Sequence, residues 1–240
     1  MKKFISTILA IFTLVAASAQ SAESSAPAPI ESNPIKQWTA GFSSIDVDAP
    51  IRLKMIKIDE DAAPYIVYDT KGCYTSKFTA EVDNEVLKIR ERTDLKRETM
   101  TEVEVYFNNL SDITISKAGV TIEGVLSSPL LDISISNGTT LTAEIDVLDL
   151  MVMATGKSYL SLSGKALYQT ADISTAEYNA SELESMSVVV SSAHNAVSKV
   201  DATQRLEAKT ATGGKIFYKS YPEILRRQIP LFGGEISMLR

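Results

Sequence analysis

The chain has 240 residues, with 24 Lys and Arg against 30 Asp and Glu, a formal charge of −6, one Cys and one His. The acid excess, with cations scattered among the acids, excludes a nucleic-acid binder that works through a basic stripe. The lone Cys73 excludes a disulfide-stapled scaffold, and one His with one Cys cannot furnish the ligands of a typical zinc site.

The first residues read as a secretory signal: Lys2 and Lys3, an uncharged apolar run from Phe4 to Val15, then Ala17, Ser18 and Ala19. Cleavage is expected after Ala19, giving a signal over residues 1–19. It removes two lysines and leaves 22 cations against 30 acids. The apolar run is shorter than the ~18 residues of a membrane helix, and no later stretch approaches that length, so the mature chain is expected to be soluble, in the periplasm or at the cell surface. Residues 20–36 hold Pro27, Pro29 and Pro34 among Ser, Ala and Glu, a composition that cannot bury enough apolar surface to order itself, and they read as a flexible linker.

Over residues 37–109 the period is two. Ile45 and Val47 alternate with Asp46 and Asp48, and Ile51, Leu53 and Met55 alternate with Arg52 and Lys54. Similar patterns return around Tyr65, Val86 and Val103. The short connections predict antiparallel neighbours.

Beyond residue 109 charge thins out and a repeat appears. Asp112, Ile113, Ile115 and Ser116 recur as Asp132, Ile133, Ile135 and Ser136. Weaker copies begin near Leu150, Ala171, Ser187 and Leu206, each with a turn such as Asn137-Gly138 or Thr155-Gly156 at a matched place. A period near 20 with short strands and small corner residues predicts an all-β fold. The N-terminal antiparallel strands lead into a right-handed parallel β-helix (β-solenoid) of about six coils over residues 110–240, closed by a last coil or cap from Tyr221 onward. A β-sandwich of hairpins is the alternative.

Phe42 to Val47 near the start, the Ile-x-Ile-Ser rungs in the middle and Gly214 to Pro222 near the end resemble, in that order, the "putative auto-transporter adhesin, head GIN domain" family. The resemblance spans most of the mature chain, and Ala176 and Asn195 stand where its turns carry glycine. It implies an exported, β-helical, adhesin-like protein of the kind common in Bacteroidetes, with no catalytic residues to carry over.

The residues themselves give no catalytic, metal or cofactor-binding signature. His194 falls at a predicted turn, and its neighbours Ser191 and Ser192 lack the Gly-x-Ser-x-Gly elbow of a hydrolase. Glu102 with Glu104 and Asp46 with Asp48 lie roughly 7 Å apart on strand faces, a spacing that solvated strands share with acid pairs of glycosidases. Asp59, Glu60 and Asp61 lack the spacing of a calcium loop. Asp112 over Asp132 stacks two carboxylates on adjacent coils, the basis of an alternative reading as a polysaccharide-active enzyme, but the next rung offers only Leu150 or Met151. Tyr159, Tyr178 and Phe217 fall in the second strands of separate rungs and are expected to point outward as a platform for sugar faces. Cys73 is expected to be a small buried apolar side chain. The expected function is a non-enzymatic binding module for a glycan or envelope protein, with a structural spacer as a further alternative. The open end of the column is compatible with a homodimer by edge pairing.

Overall fold

The computed structural model describes residues 32–71, 77–92 and 99–239. The signal segment, most of the linker and Cys73 lie outside them. Among the described residues sixteen strands form one hydrogen-bonded sheet wound on itself. They are β1 (Ile35–Trp38), β2 (Ser44–Asp48), β3 (Ile51–Lys57), β4 (Tyr65–Asp69), β5 (Phe78–Asp83), β6 (Val86–Glu91), β7 (Thr101–Phe107), β8 (Asp112–Ser116), β9 (Gly119–Ser136), β10 (Thr140–Ala154), β11 (Tyr159–Ser174), β12 (Glu177–Ala193), β13 (Val197–Ala211), β14 (Lys215–Tyr218), β15 (Ile224–Leu231) and β16 (Glu235–Met238). The architecture is a parallel β-solenoid of about seven turns with antiparallel strands at its N-terminal end.

The repeat dictates this winding. Ile113 pairs in register with Ile133, Ile133 with Val152, Val152 with Ala171, Ala171 with Val190, and Val190 with Ala208. All six are buried and form one continuous interior column. A second column runs Val120, Leu141, Leu160, Tyr178, Ser198, Ile216. Each lap covers the apolar side of the one before it, so no lap can form a core alone.

Left-handed residues make the corners: Lys117, Asn137, Lys157, Thr175, His194 and Thr212 have φ of 71°, 55°, 62°, 54°, 52° and 46°. Thr175 and Asn195 (φ 62°) carry the left-handed conformation in the two turns where glycine is replaced, and the coils continue through them. Midway along β11 the strand bends at Gly164, whose φ is +103°. A Cβ there would sit 2.2 Å from the Ile145 carbonyl oxygen, so no other residue fits without moving backbone.

The N-terminal half differs from the sequence expectation. β2 pairs parallel with both β6 and β8, and β3 pairs parallel with both β7 and β9. Residues 44–57 and 86–107 are therefore laps of the solenoid, and the column runs through the expected boundary at residue 110. The first lap in the chain is second in the stack, between β6–β7 and β8–β9. Among the described residues, antiparallel pairing is confined to β1 with β4, β4 with β7, and β5 with β6. Turn chemistry explains the split. Asn84 and Glu85, at φ 51° and 62°, form the two-residue left-handed turn that suits a hairpin, whereas Ala49-Pro50 turns a corner into the next face. Ile35 and Lys36, read as the end of the linker, begin β1. At the other end, β15 pairs parallel with β13 and β16 with β14, so the C-terminal segment is a last lap.

Candidate functional site

Inward and outward positions alternate on every strand, so stacking puts like positions of successive laps in rows on the outer surface. On the face built from β7, β3, β9 and β10, one outward row runs Glu102, Arg52, Gly119, Thr140. The row beside it runs Glu104, Lys54, Thr121, Thr142. Between them lies an open groove of about 590 Å³ that crosses four successive laps. Small hydroxylated residues and Gly119 form its C-terminal half, so the backbone there is approachable. Charged residues close its other half.

Those charges are paired. Lys71 reaches Glu102 at 2.7 Å and Asp69 at 3.1 Å, and Arg52 lies 3.8 Å from Glu102. The Lys71 ammonium is held above its ordinary pKa by hydrogen bonds to Glu102 and Asp69. Lys54 contacts Glu123 at 2.9 Å. The Tyr106 hydroxyl donates to Glu104 at 2.8 Å, and that bond, with burial, pushes the phenol up to about 12. Glu102 and Glu104, an acid pair by spacing, are thus engaged by a lysine and a tyrosine.

One step along the same strands lies an aromatic row that sequence reasoning missed. Trp38 is the register partner of Tyr65, and Tyr65 of Tyr106. The Tyr65 and Tyr106 rings stack at 4.1 Å between centroids, Trp38 meets Tyr65 edge-on at 5.2 Å, and the Lys36 ammonium lies 3.6 Å from the Tyr65 centroid and 4.2 Å from that of Trp38. The available signal was parity: Tyr65 and Tyr106 occupy outward positions of alternating strands, and Trp38 is the chain's single tryptophan.

Of the three aromatics expected to form a platform, Tyr159 is half-buried in the outward row, stacked on Thr140, so it continues the line of the groove by one lap. Tyr178 is a correction: it is fully buried, over Leu160 in the interior column. It is the second residue of β12 whereas Tyr159 is the first of β11, so alternation sends the two rings to opposite sides. The Tyr178 hydroxyl accepts a 2.7 Å hydrogen bond from Gln169 Nε2, Ser185 donates to Gln169 at 3.1 Å, and burial drives the phenol pKa upward. Phe217 is half-buried in the other outward row, between Lys199 and Ser237, three strands away from Tyr159. The three rings are not brought together.

Asp112 and Asp132 do stack in register. Burial raises the Asp112 carboxyl, with the Asp132 and Asp46 charges adding to it. The next position in that row is Met151, so the ladder stops at two acids. The pair lies around the corner at Lys117 from the four-lap groove. Asp46 is bound by Arg90, and Asp48 by Lys117 at 2.7 Å. The loop at Asp59 is held by the Asn108 amide, which donates to the Asp59 and Ala62 carbonyls at 2.6 and 2.9 Å. Among the described residues no group of three or more His, Cys, Asp or Glu is placed to hold a metal ion. His194 sits exposed at its corner with Nδ1 3.0 Å from the Ser174 hydroxyl, and Ser192 is buried against Ser198 at 2.6 Å, so the neighbouring serines and the imidazole do not converge.

The fold has counterparts among solved structures. A protein described as a putative adhesin from Bacteroides fragilis superposes with a TM-score of 0.76 at 18% identity, covering 87% of this chain and 97% of its own. A putative adhesin from Parabacteroides distasonis does so with a TM-score of 0.69 at 16% identity over 87% and 97%. A protein from Parabacteroides distasonis described as a putative lipid binding protein gives 0.65 at 15% identity over 85% and 96%. At these identities the likeness is one of fold. No curated protein matches the chain. The model of one protein family matches residues 41–222, from just before β2 to the connection between β14 and β15. The chain belongs to the family described as "putative auto-transporter adhesin, head GIN domain".

Proposed function

We propose that this protein is an exported, non-enzymatic binding module of adhesin type that takes an extended glycan along the groove lined by residues 102–104, 52–54, 119–121 and 140–142. The observation that carries this reading is that the groove crosses four stacked laps. A ligand lying along it meets equivalent groups every ~4.8 Å, which suits a polymer of repeating units. Its hydroxyl floor offers donors and acceptors without a net charge, and its ion-paired rim fixes orientation. Membership of an adhesin family and the signal-like N-terminus support a location outside the cytoplasm. A groove of this kind weighs against an inert spacer.

The test is a screen of the mature protein on a glycan array, repeated with Thr142→Arg, which places a long side chain across the floor at an exposed position. The wild type is expected to bind a glycan, and the variant to bind it at least tenfold more weakly. Binding to no glycan, or binding unaffected by Thr142→Arg, overturns it. The alternative that Asp112 and Asp132 cleave a polysaccharide is favoured by the raised Asp112 carboxyl. Turnover of an acidic polysaccharide that is lost in Asp132→Asn supports it.

A further inference from the structure

We infer that Trp38 and Lys36 form a subsite for a carboxylate-bearing sugar unit at the N-terminal end of the groove. This rests on the glycan reading above and adds the class of sugar and where it sits. The strand β1 contributes only four residues, all on the sheet edge, yet two of them build an ordered cation–aromatic ledge. Trp38 is 63% exposed while its ring is held edge-on against Tyr65. Tyr65 is in turn fixed by its stack on Tyr106. A ring that is immobilised before binding loses little conformational entropy when it takes a ligand. Its exposed face suits the CH face of a pyranose.

Lys36 supplies the charge selection. Its ammonium rests on the Tyr65 and Trp38 rings, and among the described residues it has no carboxylate partner. The lysine that lines the groove, Lys54, is already engaged by Glu123, and Lys71 nearby by Glu102 and Asp69. Lys36 therefore keeps donors for an incoming anion beside the open indole. Position completes the case. Lys36 pairs with Val67 and Val67 with Glu104, so Lys36 lies in the same outward row as Lys54, Thr121 and Thr142. A polymer running along the groove past Glu104 arrives at this ledge. The formal charge of −6 disfavours a uniform polyanion, so an oligosaccharide in which acidic and neutral units alternate fits best.

The experiment is calorimetric titration of the mature protein with an oligosaccharide alternating uronic acid and neutral sugar, and with the same oligosaccharide after its carboxyl groups are reduced to alcohols. Wild type is expected to prefer the acid form by about tenfold, Lys36→Gln to bind both forms equally with the reduced form unchanged, and Trp38→Ala to lose at least tenfold on both. Where Trp38→Ala loosens β1, Lys36→Gln, which keeps every strand pair, carries the test alone. If Lys36→Gln keeps the preference while Thr142→Arg abolishes binding, the subsite is wrong and the groove stands. If wild type binds neither form nor any array glycan, both fall.

Discussion

Ile133 lies directly over Ile113, paired in register across the β8–β9 ladder, and both are buried within one interior column. The two side chains are one lap apart in the chain, and their contact is what makes the back half wind. Replacing Ile133 with Ala leaves a cavity bounded by Ile113 below and Val152 above. Urea denaturation is expected to show a loss of about 2–5 kcal/mol, against less than about 0.5 kcal/mol for Thr121→Ala on the exposed face.

Gly164 permits the bend in β11. With φ at +103° and the Ile145 carbonyl oxygen 2.2 Å from an added Cβ, Gly164→Ala combines backbone strain with a clash against a neighbouring lap. A loss on the order of 1–3 kcal/mol from the strain is expected, and more from the clash, read as a lowered midpoint in thermal or urea unfolding. A variant that unfolds like the wild type contradicts the local geometry.

Tyr178 belongs to the interior. Tyr178→Phe keeps the ring but leaves the Gln169 amide without its acceptor in a buried site. The expected loss is about 1–3 kcal/mol, whereas Tyr159→Phe on the outer row should change stability little. Equal and small effects at both positions place Tyr178 on the surface instead.

Asp112 gives a pH dependence of defined sign. Its carboxyl is raised by burial and by the Asp132 and Asp46 charges, so the native state binds its proton more tightly than the unfolded chain does. Stability through this group therefore falls as pH rises through the acid range, from the unfolded value of about 3.9 up to its raised native value. Asp112→Asn is expected to stabilise the protein near neutral pH and to make no difference once the pH is low enough to protonate both states. Urea midpoints across that range check this; an advantage that persists at the lowest pH contradicts the assignment.

The solenoid was legible because stacking writes itself into the sequence as identity one lap apart, as Asp112 with Asp132 and Ile115 with Ile135 show. The laps at 44–57 and 86–107 were not, since the stack there departs from chain order and alternation alone does not distinguish a parallel rung from a hairpin partner. The left-handed pair Asn84 and Glu85 marks the tight hairpin between β5 and β6, and neither is glycine. Tyr178 was misplaced because parity depends on where a strand begins, and the corner before β12 is set by Thr175 rather than by glycine. The Trp38, Tyr65 and Tyr106 row joins three distant segments through two antiparallel registers, so no local pattern announces it. Tyr159 opens its strand next to Thr140 and so stands half-buried in the outer row.

Chemical-shift mapping of the labelled mature protein, saturated with an array-selected oligosaccharide, tests the functional reading most directly. Perturbations are expected to run as a band across four laps, at residues 52–54, 102–104, 119–121 and 140–142, and to continue to Lys36 and Trp38 for an acidic ligand. Perturbations centred instead on Asp112 and Asp132, with the groove unmoved, contradict it.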